Sequence, residues 1–229
     1  MRVEVLGTRG EIEESSPRHS RHSGLLVDGR LLFDLGEPEF LDRRPWRVFI
    51  THLHPDHAFF KASPSSLGRP VYAPERPDGA PAVEVFPGRL TVGPYVVSRI
   101  PTIHSLKVKS QAYLVETRRR RILYTGDMLW IDGRYHRRLA GLDLVITEAS
   151  FMRPGGMVRR DASSGKIYGH AGIPDLIRLF RNFTSNMLFI HFGSWFYEDT
   201  GRARRRIVSL AARQGVAARV GYDGFMLEV

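Results

Sequence analysis

Apolar residues recur along the first half of the chain in short runs and at alternate positions, a period of two that predicts strands rather than helices. Such runs fall at residues 2–6, 24–27, 30–34, 48–51, 71–73, 83–86, 90–92, 95–100, 111–116 and 122–125. Gly29 and the pair Gly93-Pro94 mark tight turns between neighbouring strands, and Arg118-Arg119-Arg120-Arg121 stands where a hairpin should turn. The pattern then changes. Residues 144–147 and 187–190 read as buried strands, 173–183 as a helix that accommodates Pro174 in its first turn, and 199–214 as a basic amphipathic helix. Residues 217–220 and 225–229 close the chain as strands, and the Ser-, Gly- and Arg-rich stretch 153–169 reads as a mobile loop. Helices interspersed among strands predict a layered α/β sandwich rather than an all-β barrel.

A hydrophobic content of 42% over 229 residues, with no repeat or shift in composition, predicts one globular domain spanning residues 1–229. No stretch approaches the roughly 18 apolar residues of a membrane helix. The start, Met1-Arg2-Val3-Glu4-Val5, reads as a strand without the apolar core of a signal peptide. A cytoplasmic protein with no membrane partner is therefore expected. The chain has no cysteine, which excludes disulfides, thiolate ligands and a cysteine nucleophile. The balance of 34 basic to 24 acidic residues gives a net charge of +10, and nearly all the basic residues are arginine. Such a surface suits a phosphorylated or polyanionic partner; a general arginine bias in composition would produce it equally well.

The chemistry concentrates in Thr51-His52-Leu53-His54-Pro55-Asp56-His57, directly after the apolar run Val48-Phe49-Ile50. Three imidazoles and a carboxylate lie within six residues, in a chain with only nine histidines, so this is no chance surface cluster. Imidazole and carboxylate suit zinc, iron or manganese, and a strand end holds ligands more firmly than a free loop. Three more ligand-type residues follow apolar strands: His104 after Ile100-Pro101-Thr102-Ile103, Asp127 after Leu123-Tyr124-Thr125-Gly126, and His191 after Leu188-Phe189-Ile190.

This pattern resembles the metallo-β-lactamase superfamily of metal-dependent hydrolases, whose His-x-His-x-Asp-His signature stands here as His52, His54, Asp56 and His57. The resemblance covers nearly the whole chain and implies a four-layer αβ/βα sandwich with the site along one edge. It implies one cation held by His52, His54 and His104, a second held by Asp56, His57 and His191, and Asp127 bridging both. Zinc is the first expectation, with manganese and iron open. Two such cations lower the pKa of a bridging water toward about 7 and so make a hydroxide nucleophile at neutral pH.

Further segments resemble the ribonuclease Z and phosphodiesterase branch. Glu148-Ala149-Ser150 is similar to its Glu-Ala-Thr/Ser sequence, Gly169-His170-Ala171 to its His-Ser-Thr segment, and Leu6-Gly7-Thr8-Arg9-Gly10 to its opening loop. The spacings from Asp127 to Glu148 and from His170 to His191 are both 21 positions. Splitting a phosphodiester leaves an alkoxide that needs a proton, which a histidine kept protonated by a carboxylate can give. Glu148 and His170 are the expected pair, joining Asp56 among the catalytic residues. His19 and His22 stay unassigned, and His136 reads as a surface residue. The 22 residues between His104 and Asp127 are too few for the arm with which ribonuclease Z grips tRNA, and the 38 after His191 too few for an added nuclease domain.

The expected substrate is a small phosphodiester or other small anion, with a nucleic acid end and a homodimer both left open. The same ligands serve thioesterase and lactonase branches, so an ester hydrolase is the alternative. A nucleic-acid-binding protein with an inactive metal site is a third.

Overall fold

In a computed structural model of the chain, residues 1–62, 67–77 and 83–229 are described. The first strands are β1 (Arg2–Gly7), β2 (Gly24–Val27), β3 (Leu31–Phe33), β4 (Arg47–Phe49), β5 (Val71–Ala73) and β6 (Val83–Val85). Next come β7 (Arg89–Val92), β8 (Tyr95–Pro101), β9 (Gln111–Glu116), β10 (Arg121–Tyr124) and β11 (Leu144–Ala149). The rest of the chain contains β12 (Met157–Arg160), β13 (Ile167–His170), helix α1 (Ile173–Phe180), β14 (Asn186–Phe192), helix α2 (Thr200–Ala212), β15 (Ala217–Val220) and β16 (Met226–Glu228). Two seven-stranded sheets result, one in the order β16-β1-β2-β3-β4-β5-β6 and the other β15-β14-β11-β10-β9-β8-β7.

The alternation of the strands fixes the layers. Leu25, Val27, Leu31, Phe33 and Phe49 of the first sheet meet Tyr113, Val115, Ile122, Tyr124, Ile146 and Leu188 of the second in the core between them. The intervening residues point the other way: Leu26, Leu32, Val48 and Ile50 pack outward with Phe40 and Phe60. On the far side of the second sheet, Leu123, Val145, Met187 and Phe189 pack beneath Ile173, Ile177 and Phe180 of α1 and Ile207 and Ala211 of α2. Mixed α/β layering is thus as expected. Among the described residues, however, the outer face of the first sheet is covered by the 3-10 turns Pro38–Arg43 and Phe59–Lys61 rather than by an α-helix. Asp199 caps α2 by accepting the Arg202 backbone N–H at 2.8 Å.

One expectation changes. Residues 153–169 are not a loop throughout: β12 and β13 pair antiparallel, Met157 opposite His170 and Arg160 opposite Ile167. Of the arginine run, Arg118 to Arg120 turn the β9–β10 hairpin, but Arg120 pairs with Asp143 and Arg121 with Glu116, both at 2.9 Å. No helix among the described residues is long and apolar enough to cross a membrane.

Strands β10, β11, β14 and β15 run parallel, as do β3, β4, β5 and β6. Their carboxyl ends leave side chains from both sheets at one edge, where ligand-binding residues collect in open α/β sheets. Thr51, beyond β4, joins the sheets there by accepting the Gln111 N–H at 3.0 Å.

Candidate metal centre and active site

The turn after β4 places His52, His54, Asp56 and His57 together, with the His57 and Ala58 N–H groups both bonded to the His54 carbonyl. His104 follows β8, Asp127 follows β10, and His191 lies within β14. All seven predicted ligands converge, and all except the partly exposed His54 are buried. Gly126 sets Asp127 in position: its φ of +57° suits glycine, and a Cβ there would fall on the Thr51 side chain.

Two groups of donor atoms form. In one, His54 Nδ1 lies 3.1 Å from His52 Nε2 and 3.4 Å from His104 Nε2. In the other, His57 Nε2 and His191 Nε2 lie 3.3 and 3.2 Å from Asp127 Oδ1, and 3.6 and 3.7 Å from Asp56 Oδ2. Asp127 divides between them, since its Oδ2 faces His52 Nε2 at 3.9 Å and His104 Nε2 at 4.0 Å. Tetrahedral ligands at about 2.0–2.1 Å from a cation stand roughly 3.3–3.4 Å from one another, close to these separations. Asp127 Oδ1 is buried with no hydrogen-bond partner among the described residues, as expected of an oxygen built to meet a cation. The donor set is nitrogen and oxygen only, and the cluster fits a pair of divalent metal ions.

Hydrogen bonds on the far side of four of the five imidazoles aim them inward. His57 Nδ1 meets Asp34 Oδ2 at 2.7 Å, His104 Nδ1 meets the Gly169 carbonyl at 3.1 Å, and His191 Nδ1 meets Ser23 Oγ at 2.8 Å. His52 Nδ1 meets Thr51 Oγ1 at 3.0 Å. Such partners fix the tautomer and orientation of a metal-binding histidine. Asp34 is the residue the sequence reading missed. It is fully buried at the end of β3 with a left-handed φ of +58°, and a lone aspartate closing a short strand carries no spacing signal.

Burial pushes His52, His54 and His104 toward the neutral form that binds metal. Burial would also raise Asp127, but His191 and His57 hold it well below the usual carboxylate range. For His57 burial is outweighed by Asp127, Asp56 and Asp34, which raise its pKa well above the ordinary value.

The expected Glu148–His170 pair is formed: His170 Nδ1 lies 2.8 Å from Glu148 Oε2, and Glu148 Oε1 accepts the Met128 N–H at 2.6 Å. Burial lowers the His170 pKa, yet Glu148 and then Asp127 overcome it and bring the ring to about 9. His170 lines a cleft of about 370 Å³ with His54, Asp56, Asp127, Phe151 and Trp195, and Glu148 is buried behind it. The unassigned histidines lie elsewhere. His19 is buried against Phe192 and Phe196, His22 bridges Arg9 and Glu37, and His136 is half-buried with its Nε2 3.2 Å from the Ile131 carbonyl.

No protein-family model matches the chain, and no curated protein matches it in sequence. Solved structures do. The metallo-β-lactamase fold protein YhfI from Bacillus subtilis superposes with a TM-score of 0.71 at 18% identity, covering 99% of this chain and 98% of that one. Human tRNase Z, short form, gives 0.62 at 19% identity over 100% and 99% of the two chains. A diphosphatase from the PhnP family gives 0.67 at 17% identity over 100% and 97%. At these identities the likeness speaks to architecture, and with the two sheets and the edge cluster already described it establishes that the chain has the metallo-β-lactamase fold.

Proposed function

We propose that the chain is a dinuclear metal-dependent hydrolase that cleaves a small phosphodiester or a nucleic acid end. His52, His54 and His104 would hold one divalent cation, zinc first, and Asp56, His57 and His191 the other, with an oxygen of Asp127 toward each. When bound, such a pair supplies Lewis acidity toward a phosphoryl oxygen and a water acidified to a pKa near about 7.

The observation that carries the phosphodiesterase reading is the hydrogen bond between His170 and Glu148 beside the metal-binding cluster. With Nδ1 engaged by the carboxylate, Nε2 is the nitrogen left to deliver a proton to the departing alkoxide. Glu148 does not line the cleft, and its two oxygens are engaged by His170 and the Met128 N–H, so it orients and holds the charged ring. An ester or thioester hydrolase has less need of this dyad. Among the similar structures, the tRNase and the diphosphatase are both named for acting on phosphate-containing substrates, which is in keeping with this reading.

The test is the dependence on leaving group. His170→Ala should slow cleavage of an alkyl phosphodiester by about 10²–10⁴-fold, the usual worth of a general acid. It should slow bis-p-nitrophenyl phosphate much less, because p-nitrophenolate departs without a proton. Equal losses on both substrates with metal content intact would remove the general-acid role. Faster turnover of a lactone or thioester than of any phosphodiester by the wild type would favour the ester-hydrolase alternative.

A further inference from the structure

Two residues that line the cleft, Ser150 and Ser194, carry hydroxyls, and the hydroxyls are used differently. Ser194 Oγ donates to Glu14 Oε2 at 3.1 Å. Ser150 Oγ has no hydrogen-bond partner among the described residues, although Ser150 is only 9% exposed. A buried hydroxyl without a partner is unfavourable unless a bound molecule completes it, so each one calls for an explanation. Among the described residues, the other buried side-chain atoms in that condition are Asp127 Oδ1, which belongs to the metal-binding cluster, and Arg9 Nε and Thr102 Oγ1, whose residues do not line this cleft.

The main chain beside Ser150 is firmly held. The Ala149 carbonyl accepts Trp195 Nε1 at 3.0 Å, and the Phe151 carbonyl accepts the Ile173 N–H at 2.9 Å. Gly193 packs so closely that a Cβ on it would fall on the Ser150 carbonyl. The hydroxyl therefore sits on a fixed wall, two residues beyond Glu148 and next to Phe151, whose ring centroid is 5.7 Å from that of His170. Ile12, Phe151 and Trp195 give the same cleft an apolar side, and its volume of about 370 Å³ lies within the range of small-molecule sites.

We infer that Ser150 Oγ donates a hydrogen bond to a non-bridging phosphoryl oxygen of the substrate, whose apolar or planar substituent lies along Ile12, Phe151 and Trp195. The inference rests on the phosphodiesterase reading of the cleft. It makes Ser150 a substrate-binding residue and narrows the substrate to a nucleotide-sized phosphodiester with one such substituent. A hydroxyl satisfies an anionic oxygen without adding a positive charge that would oppose the cations held a few side chains away.

The experiment compares metal-loaded wild type, Ser150→Ala and Ser150→Thr by calorimetric binding of inorganic phosphate and by kcat and KM for bis-p-nitrophenyl phosphate. S150A should weaken phosphate binding about 10–100-fold, the range for a lost hydrogen bond to a charged group, and raise KM in parallel. S150T, which keeps the hydroxyl, should stay within about threefold of wild type on both readouts. Phosphate binding by S150A equal to wild type overturns the inference, whether or not its melting temperature has changed. So does S150T binding phosphate as weakly as S150A. A wild type that turns over a thioester but no phosphodiester, while S150A still loses phosphate affinity, supports Ser150 as the anion-binding hydroxyl and refutes the phosphodiesterase reading alone.

Discussion

Asp34 accepts four hydrogen bonds in a fully buried position, from the Thr51 N–H at 2.7 Å, Thr51 Oγ1 at 2.9 Å, His57 at 2.7 Å and the Tyr124 hydroxyl at 2.7 Å. It touches only one of the predicted ligands, yet it ties that ligand to both sheets. Asp34→Asn keeps the size but removes the charge that orients His57 and favours its inward Nε2. Metal affinity should fall about 10–100-fold in competition with a chromogenic chelator. An affinity equal to wild type would mean that His57 is aimed by its own turn. The seven candidate ligands were legible because imidazole and carboxylate after apolar runs are an uncommon pattern. Asp34 and Ser23 were not, because their importance lies in which nitrogen they face, and no spacing along the chain reports that.

Among the elements, β10 and the turn after it show how little room the site has. Gly126→Ala would force a side chain into the left-handed region and on to Thr51, the residue that links β4 to β9. The strain should cost about 1–3 kcal/mol in denaturant unfolding. A displacement of Asp127 by about 1 Å should lower kcat/KM about 100-fold. Unchanged unfolding and unchanged activity would show that the turn can relax. The β12–β13 ribbon explains the one element misread from sequence. Buried strands announce themselves by alternation, but Val158, Arg159 and Arg160 are all exposed, so no burial period marks them. The ribbon is fixed instead by tertiary contacts, since the Gly169 N–H donates to the His104 carbonyl at 2.7 Å and the Gly169 carbonyl meets His104 Nδ1 at 3.1 Å. Those two bonds hold His170 beside the cluster.

For the molecule as a whole, the chain's two ends close against each other near the site. Thr8 Oγ1 donates to Asp223 Oδ1 at 2.8 Å and so must accept from His19 Nδ1 at 2.9 Å, which places a proton on Nδ1. Burial first, then Arg204 and Arg18, bring its pKa down from 6.5 to about 4. The unfolded chain therefore takes up a proton at this position before the folded one does. This contribution is complete above pH 6.5 and is lost as the pH falls from 6.5 through about 4. A shift of that size corresponds to about 3 kcal/mol, reduced to about 2 by solvent screening at the partly open end of the network. In urea unfolding, wild type should lose about 2 kcal/mol relative to His19→Asn between those pH values. Parallel pH profiles for the two proteins would refute this assignment.

Much of this protein was written in one dimension. Periodic apolar positions marked out most of the strands and the two helices of a layered α/β fold, because burial of one face leaves a periodic trace. The residue types after the strands determined that the site is an imidazole and carboxylate cluster. Only the folded chain decided that the candidate ligands sort into two groups sharing Asp127, that Asp34 orients His57, that residues 157–170 form a ribbon, and that Ser150, on the wall of the cleft, has no hydrogen-bond partner for its hydroxyl among the described residues. These are relations of distance and direction between segments far apart in sequence. Period and composition record how each residue meets its layer, whereas which atom faces which is settled when the layers close on one another.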